Sequence, residues 1–318
     1  MSEVLVLDGG FATQLARRVD QAVDGTPLWS SSFLATDPQA CVNTHLDFLQ
    51  AGSNVISTNT YQASVDGFVK HLSLTKEESL ELMKKAVVLA KDACAKYLNE
   101  KNWSSGAVKP LIVGSVGPYG ASLNDGSEYT GSYVNSVSKE ELMEWHRPRF
   151  QALVEAGVDL LAFETIPAQT EGEALVELLK EFPQQRAWLS FSCKDEIHTS
   201  HGEKFADAVQ SCWQQTGQLV AVGTNCVNPK YVTPLIESVR KNNTMRDIPV
   251  IVYPNSGEIY HASTGSWLEG SACRALDEYV QEWLDLGVKY IGGCCRTYPQ
   301  DIAKIVEQVE KWKRSHAT

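Results

Sequence analysis

No apolar stretch in this 318-residue chain approaches the roughly 18 consecutive residues that a membrane-spanning helix needs, so no membrane partner is expected. Basic side chains are in the minority. The 28 Lys and Arg against 39 Asp and Glu leave a net charge of -11, the opposite of the clustered positive surface that nucleic-acid binding draws on, and small-molecule partners are favoured. A secretory leader is not expected either: Met1-Ser2-Glu3 leads straight into Val4-Leu5-Val6-Leu7 with no basic region and no small-residue cleavage site. A cytoplasmic location follows as an expectation. There the eight Cys are read as reduced thiols rather than a disulfide framework, and clustered Cys as metal ligands. No linker, charge block or low-complexity tract divides the chain, so residues 1–318 are read as one domain. Oligomeric state cannot be read from the pattern.

What is present is a regular alternation. Eight short apolar runs bounded by turn residues stand at Val4-Leu7, Asn54-Thr58, Leu111-Gly117, Leu160-Thr165, Ala187-Ser192, Leu219-Asn225, Pro249-Asn255 and Tyr290-Cys295. Between them lie helix signals, including the capping boxes Thr75 to Glu78 and Ser138 to Glu141 and the Asp37-Pro38 start. Three segments, FLQAGSNVIS from Phe48, LVEAGVDLLA from Leu153 and WLDLGVKYIG from Trp283, read as a helix ending at a left-handed Gly and re-entering a strand. This is the return half of a βαβ unit, and eight of them fit a single α/β (β/α)₈ TIM-like barrel of about 250 residues plus loops. The two longest irregular stretches, Pro118 to Asn135 and Pro254 to Gly270, follow strands three and seven and are read as long βα lid loops.

Polar residues terminate the strands, and in a barrel all such ends converge on one mouth. Three of them are thiols, Cys226 after strand six and Cys294 and Cys295 after strand eight. Three thiolates suit Zn²⁺ and leave a fourth tetrahedral position for substrate. Adjacent Cys face opposite ways on a regular strand, and Gly292-Gly293 would permit the bend that brings them together. A redox disulfide and buried small hydrophobes remain the alternatives, and without a CxxC pair the spacing puts zinc only slightly ahead. Cys41, Cys94, Cys193, Cys212 and Cys273 are read as core or surface thiols. Asp8 and Glu164 are placed to meet a ligand ammonium, and the backbone of Gly9 and Gly10 to meet a carboxylate, a pair of contacts that describes an amino-acid site. Aromatic residues in the βα segments, Trp29, Tyr61, Tyr119, Tyr129, Tyr133, Tyr260 and Trp267, offer faces to a sulfonium or quaternary ammonium, or simply pack a lid. The run His146-Arg147-Pro148-Arg149 reads as a helix interrupted by Pro and a surface basic cluster without a role.

Taken in order, the segments LDGGFATQL, AGSNVISTNTYQAS, VGSVGPYGA, FETIPAQTE, GTNC, VYPNSGEIY and IGGCCRTYPQDI strongly resemble the homocysteine S-methyltransferase family across nearly the whole chain. The resemblance implies a TIM barrel with Zn²⁺ on Cys226, Cys294 and Cys295. It further implies homocysteine contacts at Asp8, Gly9, Gly10, Phe11 and Glu164; Trp29 and Tyr61 lie where betaine-using relatives have aromatic donor contacts, and Tyr129 and Asn255 are further candidates for donor binding. No catalytic group beyond the homocysteine thiolate is implied. The DGSEY and YPNSGEIY lids are more similar to the S-methylmethionine-using branch than to the betaine branch. Transfer from S-adenosylmethionine or betaine, and a silent zinc- or thiol-binding barrel, are the competing readings.

Overall fold

The computed structural model describes residues 3–101, 109–261, 266–268, 270–272 and 274–316. Each apolar run of the sequence is a strand. They are β1 (Leu5–Val6), β2 (Val55–Ser57), β3 (Leu111–Val116), β4 (Leu160–Ile166), β5 (Ala187–Phe191), β6 (Leu219–Asn225), β7 (Val250–Tyr253) and, last in the chain, β10 (Val288–Ile291). All pair in parallel in the order β1-β10-β7-β6-β5-β4-β3-β2, and a parallel bridge between Leu7 and Val55 joins the two ends. The result is a (β/α)₈ TIM barrel. A small antiparallel hairpin, β8 (Ile259–His261) with β9 (Ser266–Leu268), lies in the loop after β7 and has no counterpart in the sequence reading.

Helices α1 (Phe11–Leu15), α2 (Phe33–Thr36) and α3 (Pro38–Gln50) connect β1 to β2; α4 (Val65–Leu72) and α5 (Lys76–Glu100) connect β2 to β3. After β3 come α6 (Tyr119–Leu123) and α7 (Lys139–Glu155), then α8 (Gln169–Leu179), α9 (Phe205–Gln215) and α10 (Pro229–Arg240) after β4, β5 and β6. The short α11 (Val280–Asp285) precedes β10, and α12 (Pro299–Ser315) follows it. Start signals act where the sequence placed them. Thr75 and Glu78 exchange reciprocal hydrogen bonds of 3.1 and 2.7 Å at the start of α5, and Ser138 and Glu141 do the same at α7 with 3.2 and 2.8 Å. Asp37 accepts from Ala40 N at 2.9 Å ahead of Pro38. The three return glycines, Gly52, Gly157 and Gly287, have φ of 103°, 78° and 86°, as the left-handed helix terminus requires.

Apolar residues form two layers. Between sheet and helices lies a continuous shell that includes Phe48, Phe68, Phe150, Phe163, Phe191 and Trp283. Inside the barrel, Leu7, Val55, Val113, Ala162, Trp188, Ile251 and Tyr253 fill the lumen. Four of the five remaining Cys, at 41, 94, 193 and 212, are buried free thiols of the core, whereas Cys273 falls outside the described residues.

One expectation fails. Helix α7 runs through Pro148, and the segment from His146 to Arg149 is no surface cluster: His146 is 0% and Arg149 2% exposed. Only Arg147 behaves as expected, pairing on the surface with Glu181 at 2.8 Å. Helical periodicity explains the split, because positions 146 and 149 share the face turned to the barrel while 147 points away.

Candidate active site

The carboxyl ends of the strands surround one cavity, the place where barrels of this kind bind small molecules. Asp8, Gly9, Gly10, Phe11, Trp29, Tyr61, Tyr129, Glu164, Cys226, Cys294 and Cys295 all line it. Asn255 does not. It sits behind the thiols, where its Oδ1 accepts from Cys295 N at 3.2 Å. The Tyr260 and Trp267 side chains lie outside the described residues.

On one side the three sulfurs gather with all their Sγ atoms within 4.8 Å of one another, Cys226 to Cys295 being 3.6 Å. A tetrahedral ion with bonds of about 2.3 Å to sulfur needs sulfurs about 3.8 Å apart, so the cluster is of a size to hold a metal. The strand β10 ends at Ile291, before the vicinal pair, so strand alternation does not separate the two side chains. Neither Gly292 nor Gly293 is left-handed; in the thiol loops the positive φ values fall on Cys226 (52°) and Arg296 (63°). These glycines serve close approach instead. A Cβ on Gly292 would stand 2.7 Å from Leu7 Cβ, one on Gly293 2.3 Å from Thr297 Oγ1, and one on Gly10 2.5 Å from the Cys294 carbonyl.

The turn after β7 is the template for both thiol loops. Tyr253 O accepts from Cys226 N at 3.2 Å and Pro254 O from Cys294 N at 2.8 Å, while Ser256 N donates to Cys295 O at 3.1 Å. Because β7 lies between β6 and β10 in the sheet, residues 68 positions apart in the chain are brought to one corner. Hydrogen bonds from Cys294 and Cys295 hold the Cys226 thiol well below its ordinary range, and the same hydrogen bonds to Cys226, with burial and the charge on Cys226, push the other two up. Tyr129, on the lid after β3, places its hydroxyl 3.4 Å from Cys226 Sγ.

The same cavity is lined by two carboxylates, Asp8 and Glu164. Ser57 donates to Asp8 through N (2.7 Å) and Oγ (3.3 Å), and Ser115 Oγ donates to Glu164. Burial nonetheless raises Asp8 to about 8, helped by the charge of Glu164, and burial raises Glu164 to about 7 against the Ser115 hydrogen bond. Two buried acids so perturbed are poised for a cation. Next to Glu164, Thr165 has a φ of 60°. The amide of Asn225 pins it, accepting from Thr165 N at 2.6 Å and donating to Thr165 Oγ1 at 2.8 Å. Of the backbone donors in the first loop, Gly10 N is already committed to Thr297 at 3.0 Å. Gly9 N and Phe11 N have no hydrogen-bond partner among the described residues. Trp29 and Tyr61 meet edge to face, ring centroids 5.7 Å apart, at the open side.

Sequence reasoning missed Ser57, Tyr253 and Thr297, whose roles depend on pairings between distant strands. It also missed the buried partners around His146, although the helical spacing of His146 and Arg149 was a usable signal.

A parallel eight-stranded barrel whose mouth gathers two buried acids and three thiols able to hold a metal ion defines a TIM barrel with a candidate small-molecule site. Comparison with known proteins gives the family: residues 5–309 match the model of homocysteine S-methyltransferase. The betaine-homocysteine S-methyltransferase of Drosophila melanogaster is 48% identical over 314 residues, covering 96% of this chain and 94% of that protein. The homocysteine S-methyltransferase YbgG of Bacillus subtilis (strain 168) is 41% identical, covering 99% and 96%. Among solved structures, the homocysteine methyltransferase MmuM of Escherichia coli in its oxidized form superposes with a TM-score of 0.84 at 40% identity, covering 96% of each chain. Its metallated form gives 0.83 at 38% identity, again over 96% of each chain. The chain belongs to the homocysteine S-methyltransferase family, and its reaction is methyl transfer to homocysteine.

Proposed function

We propose that the enzyme uses Zn²⁺ on Cys226, Cys294 and Cys295 to transfer a methyl group from S-methylmethionine, and less readily from S-adenosylmethionine, to L-homocysteine, forming methionine in the cytoplasm. The observation that carries this reading is the thiol corner sharing one cavity with the Asp8 and Glu164 pair. When bound there, Zn²⁺ supplies the positive charge that keeps a thiol of ordinary pKa near 8.5 ionised at neutral pH.

The chain's own residues position the reactants. Asp8 and Glu164 take the homocysteine ammonium, and the backbone donors of the Gly9-Gly10-Phe11 loop, Gly9 N and Phe11 N foremost, take its carboxylate. This directs the sulfur of an extended side chain toward the thiol corner. Trp29, Tyr61 and Tyr129 hold the sulfonium of the donor against their faces, while Asn255 steadies the Cys295 loop from behind. The ionised sulfur then attacks the donor methyl carbon in line. The carbon–sulfonium bond breaks with its electron pair passing to the donor sulfur, and a second methionine leaves. No protein base acts in the transfer; alignment of two reactants provides much of the acceleration.

Charge supports the choice of donor. No Lys or Arg is among the described residues lining the cavity, so no basic side chain there repels a cationic donor. A donor of net charge +1, such as S-methylmethionine or S-adenosylmethionine, is favoured over betaine, whose net charge is zero. The betaine reading draws its support from the name of the 48% identical Drosophila relative. Methionine formation measured side by side with the three donors, together with metal content, decides the matter. Stoichiometric zinc with the fastest turnover on S-methylmethionine is expected; faster turnover on betaine would reverse the donor assignment, and zinc without turnover on any donor would leave a binding protein.

A further inference from the structure

Beneath the lid that carries Tyr129 lies a polar cluster closed off from water. Glu171, on α8, is 0% exposed and receives both feet of the lid. Its Oε1 accepts from Tyr119 N at 2.7 Å, where the chain leaves β3, and its Oε2 accepts from the hydroxyl of Tyr133, where the chain returns toward α7. His146 links this carboxylate to Arg149, with Nε2 at 2.8 Å from Glu171 Oε1 and Nδ1 at 3.4 Å from Arg149 Nη1. A neutral ring protonated on Nε2 satisfies both contacts, and burial keeps the imidazole neutral. Arg149 in turn donates to the carbonyls of Gly117 (2.9 Å), Tyr61 (2.9 Å) and Thr60 (3.2 Å), joining the cavity loops after β2 and β3.

A buried charged network of this kind adds little stability compared with apolar residues of the same volume, because desolvation offsets its attractions. What an apolar replacement cannot do is accept a lid N–H and a lid hydroxyl at once. The packing has no slack at this point: a Cβ on Gly120 would come within 2.5 Å of the Tyr133 ring, and the Tyr119 ring stands between those of Tyr133 (5.4 Å) and Trp145 (5.1 Å). Between the two feet the loop reaches over the cavity and brings the Tyr129 hydroxyl to Cys226.

We propose that Glu171, with Tyr133, is a positioning pair that sets the lid over the cavity and acts on methyl transfer through Tyr129. Both residues are remote from the reacting atoms, so their effect is on alignment. This rests on Tyr129 facing the methyl donor.

The test is a double-mutant cycle of Tyr133→Phe and Tyr129→Leu in the full-length, zinc-loaded enzyme, read in kcat/KM for S-methylmethionine and in KM for homocysteine. Each single change is expected to lower the donor kcat/KM about tenfold, as displacement of a positioning group does, with the homocysteine KM unchanged. The double variant should be no worse than the poorer single one. Amide exchange over residues 120–132 should quicken in Tyr133→Phe. Glu171→Gln, which keeps the volume and one acceptor, should retain more activity than Glu171→Leu; should the latter not fold, the cycle stands without it. Losses that multiply, or wild-type kinetics in Tyr133→Phe with only a lowered Tm, would overturn the proposal. Wild-type kinetics in Tyr129→Leu alone would instead remove the reading of Tyr129 as a donor contact.

Discussion

The carboxylate side and the thiol side of the cavity are held by different means. Glu164 stands within β4, where alternation turns it inward with Ala162, whereas Asp8 lies one residue beyond the lumen-facing Leu7, past the regular strand, and is held by hydrogen bonds from Ser57. Their cost is electrostatic, paid as burial of charge and visible in the raised values of about 8 and 7. Cys226 lies one residue past β6 with a φ of 52°, and Cys295 precedes Arg296 with a φ of 63°. Here the cost is conformational, since non-glycine residues are strained there, and the turn after β7 compensates with hydrogen bonds to both loops. Thr165 beside Glu164 carries the same left-handed backbone (60°), clamped by Asn225, so what sets the carboxylate side apart is its charges, and variants should separate the two.

The largest effect is expected from the thiols. Cys226→Ser should lose stoichiometric zinc and lower methyl transfer by more than the about 100-fold that changes outside the ligand set bring. Metal analysis alongside methionine formation reads both; a variant that keeps full metal and activity removes Cys226 from the ligand set. Glu164→Gln should cut kcat/KM for homocysteine by an amount equivalent to about 2–5 kcal/mol, the range for losing one partner of a buried charge pair, while zinc stays bound. If zinc were lost as well, the two sides would not be independent. Smaller again is Asn255→Ala, which removes the acceptor for Cys295 N. Zinc affinity, titrated against a chelator, should fall about 10–100-fold, with homocysteine binding to the metal-loaded enzyme unchanged.

How much of this was legible in the sequence follows the same division. All eight barrel strands, the return glycines and both capping boxes obey local rules, and they stand where the pattern placed them. Asp8, Glu164 and the three thiols were visible because strand ends share a mouth once the barrel is assumed. The hairpin β8–β9 was not, since it sits within a stretch read as irregular and follows no core periodicity. Nor was the basis of the thiol corner, which depends on β7 lying between β6 and β10, a fact of strand order and not of spacing. The misreading of His146 and Arg149 came from treating charge and Pro as surface marks. Pro148 is accommodated inside α7, and Arg149 is satisfied by three carbonyls from two loops distant in the chain.

The smallest expected effect tests the charge side alone. In the ligand-free protein Asp8 and Glu164 hold protons up to about 8 and 7, whereas in the unfolded chain they release them near their ordinary values of about 4. Between about pH 4 and pH 8 the folded state binds more protons than the unfolded one, so these groups make stability fall as pH rises through that window. An ammonium placed between the carboxylates favours their charged forms, so binding releases protons and affinity strengthens as pH rises through the same range. The thiols titrate too, and 2-aminobutyrate, which is homocysteine without its sulfur, isolates the carboxylates. Its Kd should decrease from pH 6 to pH 8.5 in the wild type and change less in Glu164→Gln, with calorimetry in buffers of different ionisation enthalpy reporting the released protons. Equal pH dependence in both proteins would show that Glu164 does not meet the ligand ammonium and that the charge side rests on Asp8 alone.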